Sequence, residues 1–115
     1  MKYSTNTTNI QIRVEGWKRV QNGTMHNSSG TYEVYANGNG IGYLNVYGSA
    51  TIQGSGKETE MFTISNPYKP IGLYVNQVNS KSDSQIITIW SGIFTIYNVA
   101  NVGTTTVEYS SLFRY

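Results

Sequence analysis

At 115 residues the chain has the length of one small domain, with no room for a second core. Gly, Ser, Thr and Asn supply 49 of the 115 residues and charged side chains only 12%, so solubility rests on amides and hydroxyls. Eight scattered Lys and Arg, a net charge of +2 and a single adjacent basic pair, Lys18-Arg19, argue against nucleic acid as a partner, and the lack of cysteine excludes a disulfide framework.

Such a surface suits hydrogen bonding to hydroxylated ligands, or packing against identical chains, better than long-range electrostatic steering. Residues 1–6 are followed by no apolar run, and no segment has the length of a spanning helix. Neither a secretory signal nor membrane insertion is expected.

Taken in chain order, residues 1–9 are rich in Thr and Asn and read as a loose tail or the remnant of a preceding shaft, with residues 10–115 forming a single β domain. Ile10, Ile12 and Val14 alternate with polar residues as a first strand, and residues 17–21 read as a second. Residues 22–30 have the composition of a loop. Residues 31–36 form a strand, followed by Asn37-Gly38-Asn39-Gly40, which tolerates positive φ and predicts a tight hairpin.

The strand from Tyr43 to Ile52 places Leu44, Val46, Gly48, Ala50 and Ile52 on one face. The small pair at its middle predicts a bend or the close approach of another backbone. After a turn over residues 53–57, residues 58–64 run back with Met61 and Phe62 available to the core. Pro67 and Pro70 exclude residues 66–70 from a central ladder. Residues 71–78, 85–90 and 93–98 make three more strands, the last two joined at Ser91-Gly92, and residues 107–113 close the chain.

About eight short strands joined by short connections predict an all-β fold, a small antiparallel β-barrel or β-sandwich. Gly16-Trp17-Lys18-Arg19-Val20 with an Asn22-Gly23 turn, then a hairpin over residues 32–48 with a mid-strand glycine, stand in an order that resembles the C-terminal head of bacteriophage tail-fibre and receptor-binding proteins. Residues 62–70, ending Asn66-Pro67-Tyr68-Lys69-Pro70, are similar to the family's proline-tyrosine-proline junction, with Asn66 where leucine is common. Beyond them come the Ser91-Gly92 turn and a tyrosine-terminated strand over residues 109–115.

The resemblance implies a homotrimeric, non-catalytic host-attachment domain on the virion, at a phage tail tip or fibre. There it would bind a bacterial cell-surface saccharide or teichoic-acid-like polymer and contact other tail or baseplate proteins. The alternatives are a trimerisation knob or baseplate component without a ligand, and a bacterial carbohydrate-binding module.

Sugar recognition needs flat aromatic faces to stack on pyranose C–H groups and polar side chains to meet the hydroxyls. Ten Tyr and two Trp exceed what so small a core requires. Trp90 is the preferred aromatic, opposite in face to Ile87 and Ile89 and in line with Ile86 and Thr88; the competing role is a lid on the core. Trp17 reads as a packing residue.

His26, the only histidine, lies beside Asn27 in a polar loop where both can reach a hydroxyl or phosphate, or simply be solvated. Asp83, the only Asp, offers acceptors to vicinal diols or stabilises an Asx turn. Arg114 suits a phosphate or carboxylate, or a contact between subunits.

Catalytic groups are not expected. Glu58 and Glu60 share a strand face, but an i, i+2 pair near a turn reads as a solvated edge that discourages aggregation rather than a glycosidase pair. The sequence has no nucleophile elbow and no Cys/His cluster or Asp-rich loop at metal spacing, so neither metal nor cofactor is expected.

Overall fold

The computed structural model describes residues 16–52, 58–79, 84–98 and 103–115. The tail over residues 1–9, the strand expected from Ile10 to Val14, the 53–57 turn and Asp83 lie outside the described residues. Eight strands follow one another: β1 (Lys18–Thr24), β2 (Thr31–Ala36), β3 (Ile41–Ile52), β4 (Glu58–Thr63), β5 (Leu73–Asn79), β6 (Ser84–Trp90), β7 (Ile93–Asn98) and β8 (Gly103–Arg114). They form two four-stranded sheets, ordered β1-β2-β3-β8 and β4-β7-β6-β5, with every pairing antiparallel. Of the two expected architectures the fold is therefore the sandwich.

Period-2 alternation sets the core. Val34, Leu44, Val46, Ala50, Ile52 and Val107 from the first sheet face Met61, Ile87, Ile89, Phe94 and Ile96 from the second, all buried. A row of rings crosses the interior: Tyr32 stacks on Phe62 with centroids 3.8 Å apart, Phe62 on Phe94 at 4.7 Å, and Phe94 tilts against Tyr109 at 5.7 Å. The row links β2, β4, β7 and β8, so the rings join both sheets.

The two side edges are stitched by hydrogen bonds. Between β1 and β4, the Gln21 amide donates to the Thr63 carbonyl at 2.8 Å and accepts from the Ser65 N–H at 2.9 Å. Between β5 and β8, Asn76 Nδ2 donates to the Tyr109 hydroxyl at 3.1 Å, the Arg114 N–H donates to the Tyr74 hydroxyl and the Ile71 N–H to the Arg114 carbonyl. Polar groups that would otherwise lie open at the flanks are thus paired.

Several boundaries differ from the sequence reading, three of them with a clear physical cause. Asn22-Gly23 is not a turn but lies within β1, opposite Glu33 and Tyr32. A Cβ on Gly23 would sit 3.1 Å from the Tyr32 ring, so the glycine makes room for an aromatic on the neighbouring strand. The closing strand is longer than expected because it pairs with all of β3, from Ile41↔Arg114 to Ile52↔Gly103. The 71–78 strand starts later, at Leu73, after Gly72 takes a positive φ. The 66–70 connection is outside the ladders as expected, and its Asn66-Pro67 bond is cis.

Candidate functional site

The outer face of the second sheet carries the most unusual surface of the domain. Successive residues of a strand point to opposite faces. Since Ile87, Ile89, Phe94 and Ile96 fill the core, Ile86, Thr88, Trp90, Ile93, Thr95 and Tyr97 face outwards. The register then lines up Leu73, Trp90 and Ile93 in one row, and Val75, Thr88, Thr95 and Glu60 in the next. Trp90 is 60% exposed, Leu73 and Val75 57% each, so the β5–β6 side of these rows is an open apolar shelf.

The shelf is held from behind by the β6–β7 turn. Ser91 and Gly92 both take positive φ, at 55° and 80°, the combination a two-residue turn needs to match the twist of its strands. The Ile64 N–H donates to the Gly92 carbonyl at 2.7 Å, and a Cβ on Gly92 would meet the Ile64 oxygen at 2.6 Å. The backbone carrying Trp90 is fixed on both sides of the indole.

Next to the shelf stands a carboxylate. Glu58 Oε2 lies 3.5 Å from the Thr88 hydroxyl and 3.4 Å from the Thr95 hydroxyl; the two hydroxyls are hydrogen-bonded to each other, which uses one of their two protons, so one hydroxyl at a time donates to the carboxylate. Glu58 is on edge strand β4, yet these contacts draw its side chain inwards over β7 and β6. Glu58, Leu73, Val75, Thr88 and Trp90 line a shallow open groove of about 420 Å³. An indole face, apolar flanks and a hydroxyl-anchored carboxylate can stack on one side of a pyranose and accept from its hydroxyls.

Of the residues singled out in the sequence, Trp90 stands in this groove. Arg114, His26 and Asn27 do not join it. Arg114 ends β8 with its side chain on the outer face of the opposite sheet, next to the alternating outward residues Glu108, Ser110 and Leu112. His26 and Asn27 are exposed in the β1–β2 loop, where Asn27 takes a φ of 53° and the His26 N–H donates to the Met61 carbonyl. These four residues are therefore spread over the outer faces of the two sheets and the β1–β2 loop, and Asp83 lies outside the described residues. Trp17 is half-buried.

Glu58, Thr88, Leu73 and Val75 are the site residues that sequence reasoning missed. Thr88 was in line with Trp90 from alternation alone, but Glu58 reaches the groove only because β4 pairs with β7, a partner distant in sequence. Among the described residues no three His, Cys, Asp or Glu side chains gather as a metal-binding group, and no helix is long and apolar enough to cross a membrane. No family model, curated protein or solved structure matches this chain.

Proposed function

We propose that this domain is a non-catalytic saccharide-binding module of the host-attachment kind, holding its ligand on the outer face of the β4-β7-β6-β5 sheet. The observation that carries the reading is the exposed Trp90 indole on a groove it shares with a carboxylate turned towards two threonine hydroxyls. A buried or lid-like tryptophan would not present a face to solvent. Large exposed apolar area set beside a few convergent polar groups marks a binding surface.

An open groove of this depth covers one side of a sugar only, so single-site affinity is weak, on the order of millimolar, and useful binding needs many copies. That requirement fits the homotrimeric tail-fibre setting that the sequence resemblance implies, with a bacterial envelope saccharide as partner.

The test is an amide and indole NMR titration against a panel of neutral, acetylated, amino and phosphate-bearing oligosaccharides. Shift changes at the Trp90 indole N–H and the Thr88 amide, lost in Trp90→Ala, are expected. Silence across the whole panel overturns the reading.

One observation favours a second reading, in which this face is covered by other copies of the chain. Ile71, Leu73, Val75 and Trp90 are four of the six large apolar side chains that stand exposed among the described residues, and all lie at the β5–β6 side. Solution mass decides between them. An oligomer that Leu73→Glu dissociates supports assembly through the face, whereas an oligomer unaffected by Leu73→Glu leaves the groove free for ligand.

A further inference from the structure

The groove has a sign. Glu58 and Glu60 are the charged side chains that alternation places on the outer face of the β4-β7-β6-β5 sheet among the described residues, and both are acidic. The chain as a whole carries a net charge of +2, so this face departs locally from the balance of the molecule.

Glu58 on an edge strand has a routine explanation as a charge that blocks edge-to-edge pairing. Such a charge does its work pointing away from the sheet into solvent. Here its Oε2 is instead turned over the face, towards hydroxyls from two interior strands. Thr88 and Trp90 are two residues apart on β6, about 7 Å along the strand. A pyranose stacked on the indole therefore brings a substituent of the same ring, or of the next sugar, to the carboxylate.

Resting on the saccharide reading, we infer that the sugar taken by this groove carries a free amine as its ammonium form, stacked through its C–H face on Trp90 and donating to Glu58. An ammonium has three donors and no acceptor, and it meets a carboxylate whose other contacts are hydroxyls able to rotate and accept. The indole face is also attractive to a cation, a preference that a neutral hydroxyl does not exploit. A phosphate-rich polymer meets the opposite situation: among the described residues the face carries two carboxylates and no cation, the Lys69 side chain lying against Gly92 at the β6–β7 turn. Unacetylated amino sugars fit, and anionic wall polymers do not.

The experiment compares a glucosamine tetramer with the N-acetylglucosamine tetramer and a glycerol-phosphate polymer at pH 6, by NMR titration of the full chain. Glucosamine oligomers are cations and adhere to acidic proteins without specificity, but a basic protein repels them, so local attraction can be read. Binding of the glucosamine tetramer about three- to tenfold tighter than its acetylated counterpart is expected, as one exposed charge-assisted hydrogen bond supplies. Glu58→Gln should abolish that preference and keep the shift at the Trp90 indole, while Glu108→Gln, on the opposite sheet, leaves it intact.

Equal binding of the two tetramers, tighter binding of the phosphate polymer, or a preference that survives Glu58→Gln overturns the charge assignment and leaves the saccharide reading standing. Binding by none of the three ligands, with the wider oligosaccharide panel also silent, overturns both.

Discussion

Gly48 and Gly30 lie back to back: a Cβ on Gly48 would fall 2.7 Å from the Gly30 Cα, and the Gly30 N–H donates to the Ser49 carbonyl at 2.8 Å. Gly48 takes a φ of +124°, which side-chain-bearing residues rarely adopt. The β1–β2 loop is thereby seated on the middle of β3, the close backbone approach expected from the small residues there.

Gly48→Ala combines a disfavoured φ with a backbone clash, and should cost about 3 kcal/mol. Gly38 also has a positive φ, +83°, but a Cβ there meets nothing within 4 Å. Gly38→Ala should cost only about 1 kcal/mol, the backbone term alone. Urea unfolding of the two variants separates strain from crowding; equal losses would mean the Gly30 contact carries no energy.

The row of rings gives a second contrast. Phe94 is fully buried between Phe62 and Tyr109, whereas Leu73 is 57% exposed. Phe94→Ala should cost about 3–5 kcal/mol, a large share of the stability of a domain of this size. Leu73→Ala should stay within about 0.5 kcal/mol. Thermal unfolding followed by near-ultraviolet dichroism reads both, and a substantial loss in Leu73→Ala would mean that Leu73 is covered, as in the assembly reading.

How much of this was legible before the structure depends on the range of each interaction. The inward face of β3, the Asn37–Gly40 hairpin and the alternation that sets Trp90 beside Thr88 follow from period 2 and turn chemistry, both local. Asn22-Gly23 misled because a strand glycine that clears space for Tyr32 has the same composition as a turn. Glu58 looked like an ordinary edge charge because its place in the groove depends on β4 lying next to β7, with β7 against β6. Arg114, His26 and Asn27 are polar and exposed, yet no sequence rule tells that Arg114 falls on the other sheet from Trp90 and that His26 and Asn27 stay in the β1–β2 loop.

Gln21 offers a prediction about the β1–β4 flank. Its Nε2 donates to the Tyr32 hydroxyl and the Thr63 carbonyl, and its Oε1 accepts from Ser65 N–H. Gln21→Leu should cost about 1 kcal/mol, since the bond to the Tyr32 hydroxyl is part-buried while the Thr63 carbonyl and Ser65 N–H are exposed and can turn to water. Gln21→Glu turns a carboxylate oxygen towards the Thr63 carbonyl. That penalty should be small at pH 3, where the side chain is neutral, and grow as pH rises through the carboxylate range. Denaturation at the two pH values checks it; a Gln21→Glu variant more stable at pH 7 than at pH 3, relative to wild type, would contradict the geometry.

Tyr35 supplies the alkaline counterpart. Its phenol is raised above the ordinary value of 10.0, first by burial and then by Glu33, whose carboxylate repels the phenolate and accepts a hydrogen bond from the neutral hydroxyl; nearby Arg19, bonded to Glu33 at 2.9 Å, acts in the opposite direction. An acid whose folded-state pKa is raised favours folding in its neutral form. Its contribution is complete below the unfolded value near 10 and is lost as pH climbs from there towards the folded value. Wild type should therefore lose stability as pH rises above the unfolded value near 10 more steeply than Tyr35→Phe, which has no proton to release at that site. Glu33→Gln should lower the Tyr35 phenol towards 10 without restoring it fully, because burial, the larger cause, remains. Carbon-13 NMR of the Tyr35 ring measures the titration directly, and an unchanged midpoint in Glu33→Gln would show that burial acts alone.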